Sequence, residues 1–178
     1  MQAIVSLLEE SAHRQVESIW NILEQKCGLA GIKITPYPHF SWQVVEDYPL
    51  EPLKAFLKQL ASGLHPIQVT CAGLGIFTGP EPVIYIPVVK TDQLLRFHHL
   101  IWENTFHFAV GPSLYYAPET WIPHITLAHS DVDSEKLACA LKALAAQPLN
   151  WNLTIDNLAL LSQSGNEVGQ LQDRFNFQ

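Results

Sequence analysis

With 178 residues, 48% of them hydrophobic and 15% charged, the chain has enough apolar side chain for a packed core and too little charge for a disordered segment. A net charge of −7, from 10 basic and 17 acidic residues, argues against a broad face for long nucleic acid, which needs clustered Lys and Arg; a pocket for one nucleotide or one RNA end needs only local donors. Cys27, Cys71 and Cys139 are odd in number and far apart, which argues against a disulfide framework or a thiolate zinc site and favours a reducing, cytoplasmic setting.

In chain order, Ala3 to Leu8 is a short apolar run suited to a buried strand. It lacks the basic flank of a signal peptide, and no segment approaches the length of a membrane span. From Ser11 to Cys27, Val16, Ile19, Trp20 and Leu23 share one helical face, and Gly28 supplies the stop. Phe40 to Val45 reads as a strand. Leu53, Phe56, Leu57, Leu60 and Leu64 mark a second helix, closed by Gly63. Ile67 to Phe77 reads as a strand loosened by Gly73 and Gly75, and Val83 to Val89 as another, after the turn at Gly79-Pro80-Glu81-Pro82. Thr91 caps a predicted helix through Leu94, Leu95, His98, Ile101 and Trp102.

Gly111 to Pro123 holds two glycine-or-proline clusters and Tyr115, Tyr116 and Trp121, so it reads as an aromatic-rich loop. Ile125 to His129 is a predicted strand. Asp133 or Ser134 caps a helix carrying Leu137, Ala140, Leu141 and Leu144. Leu153 to Leu161 and Glu167 to Phe175 complete the strands. Strands alternating with helices predict a mixed domain over residues 1–178, of α/β or α+β type.

A repeat carries the functional argument. Pro38-His39-Phe40-Ser41-Trp42 and Pro123-His124-Ile125-Thr126-Leu127 both read Pro, His, large apolar, hydroxyl, large apolar, and their histidines stand 85 positions apart. An acidic loop, a helix and a strand follow each motif, and Thr70 and Thr154 in those strands stand 84 apart, so the halves keep register within one residue. Two such units packed about a pseudo-two-fold axis would face their histidines across a central cleft. Strand alternation turns His39, Ser41, His124 and Thr126 to the cleft and Phe40, Trp42, Ile125 and Leu127 to the core.

Two imidazoles and two hydroxyls suit phosphodiester cleavage. A neutral His takes a proton from water, a protonated one gives a proton to the leaving oxygen, and the hydroxyls donate to the non-bridging oxygens. The other histidines lack such a partner. His129, five residues after His124, falls on the opposite face by alternation and reads as a surface residue. Among the flanking aromatics, Tyr115 and Trp121 are the candidates to stack a base, against the plainer reading that they pack the loop.

The paired His-apolar-Ser/Thr-apolar motifs resemble the signature of the 2H phosphoesterases, which include 2'-5' RNA ligase-like proteins and cyclic nucleotide phosphodiesterases. The second motif, His124-Ile125-Thr126-Leu127, is the closer match; Ser41 and Trp42 make the first looser. The resemblance implies an α+β, two-lobed fold with antiparallel sheets flanked by helices. It also implies catalytic His39 and His124, phosphate binding by Ser41 and Thr126, and attack on cyclic phosphates of small nucleotides or RNA ends.

No cofactor or metal is expected: H-E-x-x-H, paired cysteines and a Walker A loop are all missing from the sequence, as is G-x-S-x-G. A phosphate- or RNA-end-binding module without turnover, and a 2'-5' RNA ligase, stand as alternatives. Substrate, regiochemistry and oligomeric state are left open.

Overall fold

In a computed structural model, which describes residues 1–165 and 167–178, the chain forms β1 (Gln2–Leu7), α1 (Glu10–Cys27), β2 (His39–Asp47), α2 (Leu50–Ala61), β3 (Ile67–Ala72), β4 (Gly75–Phe77) and β5 (Val83–Pro87). There follow α3 (Asp92–Thr105), β6 (Val110–Pro112), β7 (His124–Ala128), α4 (Ser134–Leu144), β8 (Asn150–Ile155), β9 (Asn157–Ser162) and β10 (Gln170–Asn176). Every strand pairing is antiparallel, in a five-stranded sheet ordered β10-β9-β1-β2-β6, a three-stranded sheet β4-β5-β7 and a two-stranded ladder β3-β8. Among the described residues no helix is long and apolar enough to cross a membrane.

The helices form where the apolar spacing put them. α1 buries Val16, Ile19, Trp20 and Leu23 and ends at Gly28, whose φ of +66° closes the helix in a left-handed turn. The Thr91 side chain accepts from Leu94 N at 3.2 Å and Asp133 from Lys136 N at 2.8 Å, capping α3 and α4.

The predicted duplication has a direct structural counterpart. β3 and β8, the strands that close the two repeats, pair with each other, and Val69 lies opposite Leu153. These residues are 84 positions apart, the offset of Thr70 from Thr154, so a local two-fold axis passes between them. Gln68 and Thr70 reach across to Thr154 and Asn152 at 2.9 and 3.0 Å.

Three expectations change. The strand predicted over 67–77 breaks at Gly73, where a φ of +78° takes the chain out of extended geometry. That predicted over 153–161 turns at Asp156 and serves two sheets, and the last strand begins only at Gln170. Cys27 and Cys139, expected as free thiols, are joined by a disulfide with Cα atoms 5.7 Å apart, while Cys71 is free and buried. A separation of 112 residues hid the pair, because only the docking of α1 on α4 brings the sulfurs together.

His98 on α3 is fully buried, stacked on Trp121 with ring centroids 3.8 Å apart, and its Nε2–H donates to Trp42 O at 3.1 Å. Burial pushes its pKa down to about 4. The unfolded chain, with an ordinary imidazole near 6.5, therefore binds more protons between pH 4 and 6.5, and stability falls as pH drops through that window. Urea denaturation at a series of pH values should show a loss of up to ~3 kcal/mol from this residue alone. In His98→Gln, which keeps an N–H donor, the slope over the same window should be visibly shallower; an unchanged slope would place the titration elsewhere.

Candidate active site

β2 and β7 run side by side within 8 Å, each with one edge unpaired around its motif. The free edge of each strand is held by an indole from the other half of the chain. Trp121 Nε1–H donates to Ser41 O at 3.1 Å, and Trp20 Nε1–H to Thr126 O at 3.2 Å. Trp42, inside the core, donates to Ser6 Oγ at 2.8 Å, and Ser6 donates in turn to Asn157 O at 2.5 Å.

The two motifs also share a β-bulge. On β2, Ser41 pairs with Val5 and Gln43 with Ile4, so Trp42 is the extra residue. On β7, Thr126 pairs with Tyr85 and Ala128 with Ile84, so Leu127 is the extra residue. Each bulge lies three positions after its histidine and inverts the alternation that follows. Trp42 and Gln43 are consequently both buried, as are Leu127 and Ala128.

His39, Ser41 and Thr126 line one cavity of about 210 Å³. His124 and Thr126 line an adjoining cavity of about 750 Å³. Tyr116 and His129 line both. A separate hollow beside Lys58 and Arg174 contains none of these side chains.

The two motif histidines are held alike. His39 Nδ1–H donates to Tyr37 O and His124 Nδ1–H to Ile122 O, each at 2.6 Å and each two residues back. A carbonyl can only accept, so both neutral rings carry their proton on Nδ1 and leave Nε2 with a lone pair. Burial pushes both pKa values below the usual imidazole range. On His39 the positive charges that His124 and His129 can take add to the effect.

Phe77 and Tyr85 stack at 4.1 Å and flank His124, with ring centroids 5.0 and 5.2 Å from its own. Gly75 makes room for this, since a Cβ there would overlap the Tyr85 ring. The Tyr116 hydroxyl, kept protonated by burial, faces Ser41.

Two expectations fail. Trp121 is 0% exposed and stacked between His98 and Trp42, so it has no face to offer a base. Its apolar ring and single N–H suited it to the core, where it fixes Ser41. His129 does not point away: the bulge at Leu127 returns it to the cleft face. Tyr115 remains 85% exposed at the rim of the larger cavity. Phe77, Tyr85 and His129 had no signal in the sequence, because a β-bulge and a cross-strand stack are set by pairing.

With this geometry in place, comparison with known proteins is decisive at the level of family. The sequence pattern of the 2'-5' RNA ligase superfamily matches residues 9–167. The chain belongs to that superfamily.

A curated protein of Staphylococcus haemolyticus, carrying only a provisional phosphoesterase name, is 28% identical to this member over 102 residues. The match covers 57% of this chain and 54% of that one, so it spans about half the length of the curated relative. Among solved structures, TT0787 of Thermus thermophilus superposes with a TM-score of 0.68 at 16% identity, covering 99% of this chain and 97% of that one. Usb1 of Kluyveromyces marxianus gives 0.53 at 9% identity with the same coverage, and has also been solved with uridine monophosphate. At such identities these likenesses establish the 2H phosphoesterase fold of the superfamily member and nothing finer.

The indole anchors can be checked by removing only the N–H. Trp121→Phe and Trp20→Phe should each cost ~1–2 kcal/mol in urea denaturation, because a partly buried carbonyl loses its donor while most of the stacking is kept. Wild-type stability in both variants would show that the bonds hold nothing in place.

Proposed function

We propose that the chain is a metal-independent phosphoesterase that opens small cyclic phosphodiesters, such as a 2',3'-cyclic nucleotide, an RNA-end phosphate or an ADP-ribose cyclic phosphate, by two-histidine acid–base catalysis. The observation that carries this reading is the matched fixing of His39 and His124, both with Nδ1 tied to a carbonyl and Nε2 left for chemistry.

In the forward step, Nε2 of one neutral imidazole takes a proton from water as the water oxygen bonds to phosphorus. The bond from phosphorus to one ring oxygen breaks, and Nε2–H of the other, protonated imidazole delivers its proton to that oxygen. The product is a phosphomonoester beside a free hydroxyl. Ser41 and Thr126 donate to the non-bridging oxygens as charge shifts onto them. Tyr115 on the rim is placed to stack a base, and uridine monophosphate in Usb1 is consistent with a nucleotide of that size. Among the described residues no cluster of three or more His, Cys, Asp or Glu is arranged to hold a metal ion, and none of the steps asks for one.

We read residues 1–178 as one two-lobed catalytic domain. Nucleotide and RNA-end substrates keep the cytoplasm as its proposed location. Cys27 and Cys139 would there face a reducing pool, so the disulfide withdraws the cysteine argument for that setting without supplying another.

A panel of 2',3'-cyclic nucleotides, ADP-ribose cyclic phosphate and cyclic-phosphate RNA ends tests the reading. On the best substrate, His39→Ala and His124→Ala should each lose ~10²–10⁴-fold in kcat, with the double variant losing less than the product of the two. Ser41→Ala and Thr126→Ala should lose less. A folded His124→Ala protein of wild-type activity refutes the assignment.

Because both imidazoles are pushed below 6.5, the singly protonated pair of the free protein lies on the acid side. The kcat/KM profile should be bell-shaped with its maximum below pH 6.5. Turnover should survive EDTA; loss on chelation with recovery on adding a divalent cation would point to a metal enzyme instead.

A further inference from the structure

His129 is the place where the two halves stop matching. Counting from each motif histidine, the first residue returned to the cleft by the bulge is Val44 in one half and His129 in the other, and both line the smaller cavity. The chain turns sharply behind His129. Ser130 adopts a left-handed φ of +71°, and Asp131 Oδ2 accepts from Ala30 N and Gly31 N at 2.7 and 2.8 Å. Gly31 permits the close approach, since a Cβ there would overlap the His129 carbonyl oxygen. The residue is thus held in position by a bulge before it and a tied turn after it.

The charge balance of the cleft gives this placement a use. Among the described residues neither cavity is lined by a Lys or Arg side chain. A phosphodiester carries one negative charge, and hydrolysis adds more to the non-bridging oxygens. In the mechanism above, which this inference rests on, the proton on the His39–His124 pair moves during the step. A cation that stays in place must come from elsewhere.

We propose that His129 is a third phosphate-contacting residue, whose imidazolium pairs with a non-bridging oxygen while His39 and His124 exchange protons. Its Nδ1 is engaged with Ser130 Oγ, and Nε2 has no hydrogen-bond partner among the described residues. Asp131, next along the chain, favours the charged form, whereas burial and the neighbouring His39 oppose it. His124 and the Tyr116 phenol share the cavity walls, and Glu81 sits at the far rim of the larger one. Lys33, on the adjoining turn, is paired with Glu24. A bound phosphate adds the negative charge that tips this balance toward imidazolium. Val44 offers nothing equivalent, so the phosphate meets its fixed cation on one side only.

The test is an NMR titration of the full chain, following the imidazole signals of His39, His124 and His129 from pH 5 to 8 with and without inorganic phosphate. Phosphate should raise the midpoint of His129 by ~0.5 unit or more. His129→Gln should bind phosphate ~10-fold more weakly at pH 6, whereas His129→Arg, whose charge does not titrate, should keep binding to pH 8. If phosphate moves His39 and His124 but leaves His129 unchanged, this proposal fails and the two-histidine reading stands. If none of the three responds, both fail. Because the first arm uses the wild-type chain, misfolding of a variant does not blur the outcome.

Discussion

Two indole hydrogen bonds, crossing in opposite directions between the halves of the chain, hold the site together. Ser41 and Thr126 lie on strand edges that have no sheet partner, and such edges leave backbone groups in need of bonds. Trp121 satisfies the first and Trp20 the second. Each half therefore completes the other, and a shift of one strand would drag the opposite hydroxyl residue with it. Because the anchors act on the backbone, they leave the side chains of the motifs free for chemistry.

Much of this was legible in the sequence because duplication is visible as spacing. The repeated Pro-His-apolar-hydroxyl pattern and the matched helix and strand after it located β2, β7, β3 and β8 without any long-range information. What escaped depends on pairing across distance. Simple alternation sent His129 outward because it cannot register an extra residue at Leu127. Aromatic composition marked Trp121 as a candidate platform, but only the packing of His98 and Trp42 against it shows both faces taken. Cysteine counting assumed that near neighbours pair, whereas Cys27 and Cys139 meet through two helices docked side by side.

Electrostatics and shape agree on the scale of what this cleft can receive. A chain of net charge −7, with imidazoles as the cationic groups of its cavities among the described residues, is poorly suited to the many phosphates of a long nucleic acid. It is better matched to one phosphate whose charge is low before reaction. The aromatic collar of Phe77 and Tyr85 works in the same direction, since it strips water from His124 and keeps that ring neutral until an anion arrives.

The pairing of Val69 with Leu153 about a local two-fold is the geometry of an isologous contact, the kind by which two identical subunits recognise each other. Had the halves remained separate copies, any residue acquired by one would have appeared in both. Val44 and His129 could not then differ. Covalent joining releases that restriction: one gene segment can change while its twin keeps the ancestral shape. The single polypeptide is therefore what allows a site of paired parts to have a left and a right.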